Sequence, residues 1–197
     1  MNSHYPDPGQ INIDHAFSNA EALFAQRRFE EARDLYANVL SALETRYGQI
    51  HPELALPLLR LGDCYHTMNR FREALPLYMR LLTIGENTLG RKHPDMLNLM
   101  VKVAKTQEMI GSFQESRKTY EIALPVIGSA LGTSSDFYLS THRQYEELIN
   151  RINENRKAAD AWRGGSSDGL ENPVSGSPPG MPRGPAVIEN NASVPLP

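Results

Sequence analysis

The 197-residue sequence predicts an all-α fold, a right-handed superhelical array of about three helical hairpins closed by a C-terminal capping helix. Three observations predict it. Arg28-Phe29-Glu30-Glu31-Ala32, Arg70-Phe71-Arg72-Glu73-Ala74 and Ser112-Phe113-Gln114-Glu115-Ser116 recur at one interval, with Phe29, Phe71 and Phe113 standing 42 residues apart. Tyr36, Tyr78 and Tyr120 keep the same spacing, and the apolar residues around them fall at helical intervals. Gly48, Gly90 and Gly132 punctuate each unit with that period. Self-similarity at roughly 20–50 residues marks stacked supersecondary units, which present a surface rather than a catalytic cavity.

Taken in order, residues 1–12 hold two prolines, a glycine and little apolar periodicity, and read as a flexible leader. Ala16, Ala20, Leu23 and Phe24 share one face of a first helix; after a turn at Gln26-Arg27-Arg28, the residues Phe29, Ala32, Leu35, Tyr36, Val39, Leu40 and Leu43 form the apolar face of a second. Gly48 suits the left-handed position past a helix end. His51-Pro52 and His93-Pro94 open the next hairpins, since proline in the first turn forfeits no helical bond. Ser135-Asp136 does the same for the last helix, by a serine cap and a carboxylate at the positive end of the helix dipole. Pro57 and Pro125 predict a kink or a shifted helix start. The last helix carries Tyr138, Tyr145, Leu148, Ile149, Ile152, Ala159 and Trp162 on an apolar face, and Arg143, Glu146, Glu147, Asn150 and Arg156 on a polar one. A terminal unit needs such a two-sided helix.

Residues 13–163 thus form the helical repeat domain, and the composition changes abruptly after it. Residues 164–197 hold seven prolines and six glycines without apolar period, which predicts a disordered tail. Its Pro179-Gly180-Met181-Pro182 has a P-x-x-P form that any proline-rich tract produces.

Twenty basic and 23 acidic residues give a net charge of −3, so no global field gathers nucleic acid or an acidic membrane. Neither a signal-like start nor a long apolar run is present, and the one cysteine, Cys64, has no intrachain partner. These point to a cytoplasmic protein. Enzymatic chemistry has thin material. His51 and His93 keep the repeat spacing, no H-x-x-x-H or C-x-x-C pair exists, and the glycines stand singly, so neither a metal site, a cofactor nor a phosphate cradle is expected. Asp63 and His66 read as a polar pair on one helix, with no nucleophile beside them.

Leu61-Gly62-x-x-Tyr65, Ala74 and Tyr78 resemble the tetratricopeptide pattern. The ordinary unit has about 34 residues; the 42-residue period here, with Thr88-Leu89-Gly90-Arg91-Lys92-His93-Pro94-Asp95 as linker and Pro76 inside the second helix, is similar to the long repeats of kinesin light chains. Asn19, Ala20 and Leu23 in the first unit, and Val103, Ala104 and Gln107 in the third, depart from the pattern while keeping a small residue at the Gly62 position.

The resemblance implies that the first helix of each unit lines a concave groove. Carried onto this sequence, it names Phe17, Glu21, Phe24, Leu59, Arg60, Asp63, His66, Asn98, Lys102, Lys105 and Arg143 as partner-binding residues. Read by charge, that face is acidic toward its N-terminal end, apolar in the middle and more basic beyond. It suits a peptide with an apolar centre, basic toward the N-terminal units and acidic toward the C-terminal ones. The co-chaperone mode of gripping a terminal carboxylate fits poorly, because Phe17 and Glu21 stand where donors are needed. The resemblance therefore implies an adaptor or scaffold that binds a protein or peptide ligand. Two alternatives stay open: a scaffold that self-assembles by stacking array ends into a homo-oligomer, and a small chaperone.

Overall fold

Seven α-helices and no strand form over residues 12–164, the residues that the computed structural model describes. Helices α1 (Ile13–Ala25) and α2 (Phe29–Tyr47) make the first hairpin, α3 (Ala55–Thr67) and α4 (Phe71–Thr88) the second, α5 (Pro94–Ile110) and α6 (Phe113–Leu131) the third; α7 spans Asp136–Gly164. The leader and tail expected from composition lie outside the described residues, apart from Asn12 and Gly164 at their borders. The chain divides into two compact units, Met1–Asn150 and Arg151–Pro197. Of the second, the described residues are the last turns of α7.

Helices α1, α5 and α7, and the short turn that leads into α3, start where the sequence supplies a partner for the free N–H groups of the first turn, whereas α2, α4 and α6 start without a side-chain cap. Asn12 accepts from His15 N at 3.0 Å. His51 and His93 do this through the ring, with Nδ1 accepting from Glu53 N and Asp95 N at 3.3 Å, so these linker histidines are helix caps. Ser135 Oγ accepts from Tyr138 N. Pro57 falls in the first turn of α3, behind a short 3-10 turn at Pro52–Leu54, where it removes no helical bond. Pro76 and Pro125 sit inside α4 and α6, which run through them.

The loop glycines depart from the expected left-handed helix stop. Gly48 and Gly132 combine φ of 81° and 85° with ψ of 179° and 150°, an extended positive-φ conformation open essentially to glycine alone. The left-handed position instead recurs inside the hairpins, where Arg27, Asn69 and Gly111, each 42 residues apart, hold φ of 63°, 59° and 88°.

Helices α1 to α6 pack in chain order, each on the one before, and α7 meets α6 where Tyr145 lies edge-on to Tyr120 at 6.2 Å. The repeated tyrosines Tyr36, Tyr78 and Tyr120 are completely buried between the helices of their own hairpins. Close approach at this level is set by the small residue opposite. A Cβ on Gly62 would stand 2.6 Å from the Tyr78 ring, while Ala20 and Ala104, buried at the equivalent positions, belong to hairpins that accommodate a methyl group. Ser116 replaces Ala32 and Ala74 at another buried position, and its hydroxyl donates to Ala104 O at 2.8 Å. On α7, Leu148 is buried as expected, but Trp162 is 55% exposed. Period marks a helix face; it does not say whether another element arrives to cover it.

Candidate functional site

The first helices of the hairpins and the start of α7 line a groove of about 550 Å³, walled by Phe24 of α1, Asp63, His66 and Thr67 of α3, Asn98, Val101, Lys102 and Lys105 of α5, and Phe137, Ser140, Thr141 and Gln144 of α7. Six of the eleven residues implicated by sequence are among these: Phe24, Asp63, His66, Asn98, Lys102 and Lys105. Phe17 and Leu59 instead turn toward the core, Phe17 meeting Tyr36 edge-on at 5.5 Å. Arg143 is exposed on α7 away from the cavity wall.

Glu21 and Arg60, on neighbouring helices, face each other with Arg60 Nε 2.7 Å from Glu21 Oε1, and the buried Tyr36 hydroxyl donates to the same carboxylate oxygen at 2.6 Å. The arrangement repeats one unit on. Lys102 Nζ and the Tyr78 hydroxyl both donate to Asp63 Oδ1 at 2.7 Å, and Lys102 also lies 5.2 Å from the centre of the Tyr78 ring. Each rung joins a core tyrosine, a carboxylate on a first helix, and a cation on the next first helix. The carboxylates that made the N-terminal half of the face look acidic are thereby neutralised from within.

The ladder ends at the third unit. Lys105 takes the position held by Glu21 and Asp63, and Gln144 the position held by Arg60 and Lys102, both by the 42-residue period. Tyr120 donates to Glu108 at 3.2 Å and to Gln144 Oε1 at 3.4 Å. Lys105 is exposed and has no ion-pair partner among the described residues.

His66 does not make the polar pair with Asp63 that spacing suggested. Its ring packs edge-on against Phe71 at 5.0 Å, because the Asp63 carboxylate is already held by Tyr78 and Lys102. Burial, and then the Lys102 charge, push the His66 pKa down, so the groove holds a neutral imidazole. Among the described residues no three His, Cys, Asp or Glu side chains gather to hold a metal, and no helix is long and apolar enough to cross a membrane. Sequence reasoning did not name Phe137, Thr141 or Gln144. For Gln144 the signal was available, since Arg60, Lys102 and Gln144 are spaced by the repeat.

The buried groups behind the groove fix the sign of the alkaline response. Burial, reinforced by the Glu21 and Asp63 carboxylates, raises the pKa values of the Tyr36 and Tyr78 hydroxyls far above the ordinary 10.0, and burial pushes the Cys64 thiol up to about 12. The folded state therefore resists losing these protons, while the unfolded chain releases them near pH 9–10. Their contribution is complete below that range and is lost progressively as pH rises from it toward the raised folded-state values. The expected result is stability that falls steeply above about pH 10, measured by urea denaturation followed by circular dichroism. At pH 8, Cys64 is expected to resist iodoacetamide until the protein unfolds; prompt labelling of folded protein would contradict this assignment.

Residues 12–87 match the tetratricopeptide repeat family model. Among solved structures, a kinesin light chain-like protein of Podosopora anserina with nearly identical TPR-like repeats is similar at a TM-score of 0.65 and 18% identity, over 86% of this chain and 81% of that one. BtubC (BKLC) of P. vanneervenii is similar at 0.64 and 13%, over 93% and 75%. PcrH, solved in complex with the chaperone binding region of PopD, is similar at 0.52 and 13%, over 73% and 97%. No significant relative was found among curated proteins.

Proposed function

This chain is a tetratricopeptide-repeat array with the fold of the kinesin light chain-like proteins, and on that premise we propose that it is a protein–protein interaction module, an adaptor or scaffold that holds a peptide or partner helix in its groove. The observation that carries the reading is the groove itself. Its partly exposed rings, Phe24 and Phe137, lie beside polar groups over a buried Val101, on helices locked to one another by the Tyr–carboxylate–cation ladder. A rigid, preformed surface of this kind binds without first meeting a large ordering entropy. The fold of PcrH, which holds a segment of PopD, lends support by analogy.

The outer face of α7 disfavours stacking of array ends. Where Leu58 and Met100 are buried in the earlier units, α7 carries His142, and where Gly62 and Ala104 sit, it carries Glu146; the two lie 3.5 Å apart as an exposed i, i+4 pair. A further helix packing there would have to desolvate both.

The test is affinity capture with two charge-reversed proteins. Lys105→Glu with Arg143→Glu alters exposed positions on the groove helices, whereas Arg72→Glu with Lys118→Glu alters exposed positions on α4 and α6. Loss of the captured partner is expected for the first pair alone, with helicity unchanged in both. Equal capture by both would move the binding surface out of the groove.

A further inference from the structure

The edge of the array where one hairpin hands over to the next carries an apolar ridge that neither the groove nor the core uses. Because the helices alternate in direction, the loops after α2, α4 and α6 lie at one end of the hairpins. Tyr47, Leu89 and Leu131 stand there 42 residues apart, each just before the loop glycine of its unit, and they are 39%, 50% and 46% exposed. Ile50 follows Tyr47 in the first loop and is exposed as well. Ile122, also exposed, takes by the period the place of Arg80, whose guanidinium donates to Gln49 O in the first loop, so it borders the second. Five of the ten large apolar residues exposed among the described residues thus gather along one edge, and such a patch marks a contact surface. Tyr47 is already fixed, its ring stacked on His51 at 4.5 Å with Arg46 5.2 Å from its centre. None of these residues lines the groove.

We infer that this ridge is the contact between two copies of the chain, paired antiparallel about a two-fold axis that passes beside Leu89. A two-fold axis sets a surface against itself reversed. Three apolar residues at equal intervals meet that demand, since Leu89 then faces Leu89 of the second copy while Tyr47 faces Leu131. The charges choose this arrangement over the parallel one. Glu44 is spent on Arg80, and Glu86 on Arg91. The charges that remain at this edge are Arg46 and Glu53 by the first loop, Lys92 and Asp95 by the second, with Asp95 3.6 Å from His93, and Asp136 by the third. Antiparallel pairing sets Arg46 against Asp136 at both outer contacts and Lys92 near Asp95 about the axis, while Glu53 has the exposed Thr133 and Ser134 opposite it. Parallel pairing would set each of these charges against its own kind. The edge has no strong excess of either sign that would call for an acidic or a basic partner, so its complement is its own surface. Pairing here leaves one groove on each copy, and the dimer would gain avidity for a partner that carries two binding segments.

Sedimentation velocity of the full chain between about 5 and 500 μM is the test, since an edge of this size lies at the weak end of protein contacts. A reversible equilibrium between monomer and dimer is expected. Leu89→Lys puts two ammonium groups at the axis and should raise the dimer Kd about tenfold, with helicity unchanged by circular dichroism. Arg72→Glu, at an exposed position near the start of α4, should leave the Kd as it is. Arg46→Glu and Asp136→Arg should each weaken the dimer about fivefold, and more at low salt than at high. An equimolar mixture of these two variants should recover it, because in the mixed pair both outer contacts again join opposite charges. A monomer throughout the range, or growth beyond a dimer, overturns the inference, as does a dimer indifferent to Leu89→Lys. Weakening by both reversals with no recovery in the mixture excludes the antiparallel pairing and overturns it too. Each of these outcomes leaves the groove reading, which concerns another face, where it stands.

Discussion

Replacing Tyr78 with alanine is expected to destabilise the array by about 3–5 kcal/mol, the usual range for removing a buried ring. Tyr78 is completely buried, and it fills the space that Gly62 leaves by lacking a Cβ. Alanine opens a cavity between α3 and α4 that two rigid helices cannot close, and it strips Asp63 of the hydroxyl that holds it toward Lys102. For a domain of this size the thermal midpoint should fall by roughly 10 °C. Tyr78→Phe keeps the ring and should lose only about 1 kcal/mol, the usual net worth of one hydrogen bond. Urea denaturation followed at 222 nm distinguishes the two. Equal losses for alanine and phenylalanine would mean that the hydroxyl, not the ring, holds the hairpin together.

Asp63→Ala is expected to be the most damaging single change on the groove face, at about 2 kcal/mol. The carboxylate satisfies two groups at once. Without it the Tyr78 hydroxyl is left unpaired in a fully buried site, while the Lys102 ammonium, 39% exposed, recovers part of its loss from water. Asp63→Asn retains an acceptor for the hydroxyl and should lose about half as much. In a double-mutant cycle with Tyr78→Phe, the expected coupling is about 1 kcal/mol, because removing both partners leaves nothing orphaned. Simple additivity of the two substitutions would show that Tyr78 and Asp63 act separately, and the ladder would then be a surface ion pair of the weak exposed kind.

The helices and their order were legible from sequence because each unit repeats the same three signals: an apolar face at helical spacing, a cap at the start and a glycine at the end. Tyr36, Tyr78 and Tyr120 were rightly placed in the core by their period and apolar neighbours. The candidate site was legible only in part. The period assigned Asp63, Lys102 and Lys105 to one face, but charge type could not say which charges were already spent. Phe17 and Leu59, equivalent positions one repeat apart, were assigned to the groove by the resemblance, yet both side chains pack toward the core.

The sequence by itself determined the hairpin architecture, the positions of the caps and the loop glycines, and the positions that correspond between units, since these depend on local periodicity and short-range bonds. Tertiary structure alone decided that Glu21 finds Arg60 and Asp63 finds Lys102, pairs 39 residues apart in the chain, and so left Lys105 uncompensated. The physical reason is range. A helix face is written within a few turns of its own residues, whereas the net charge of a groove is a sum over helices brought side by side, and stacking sets which opposite charges come within bonding distance.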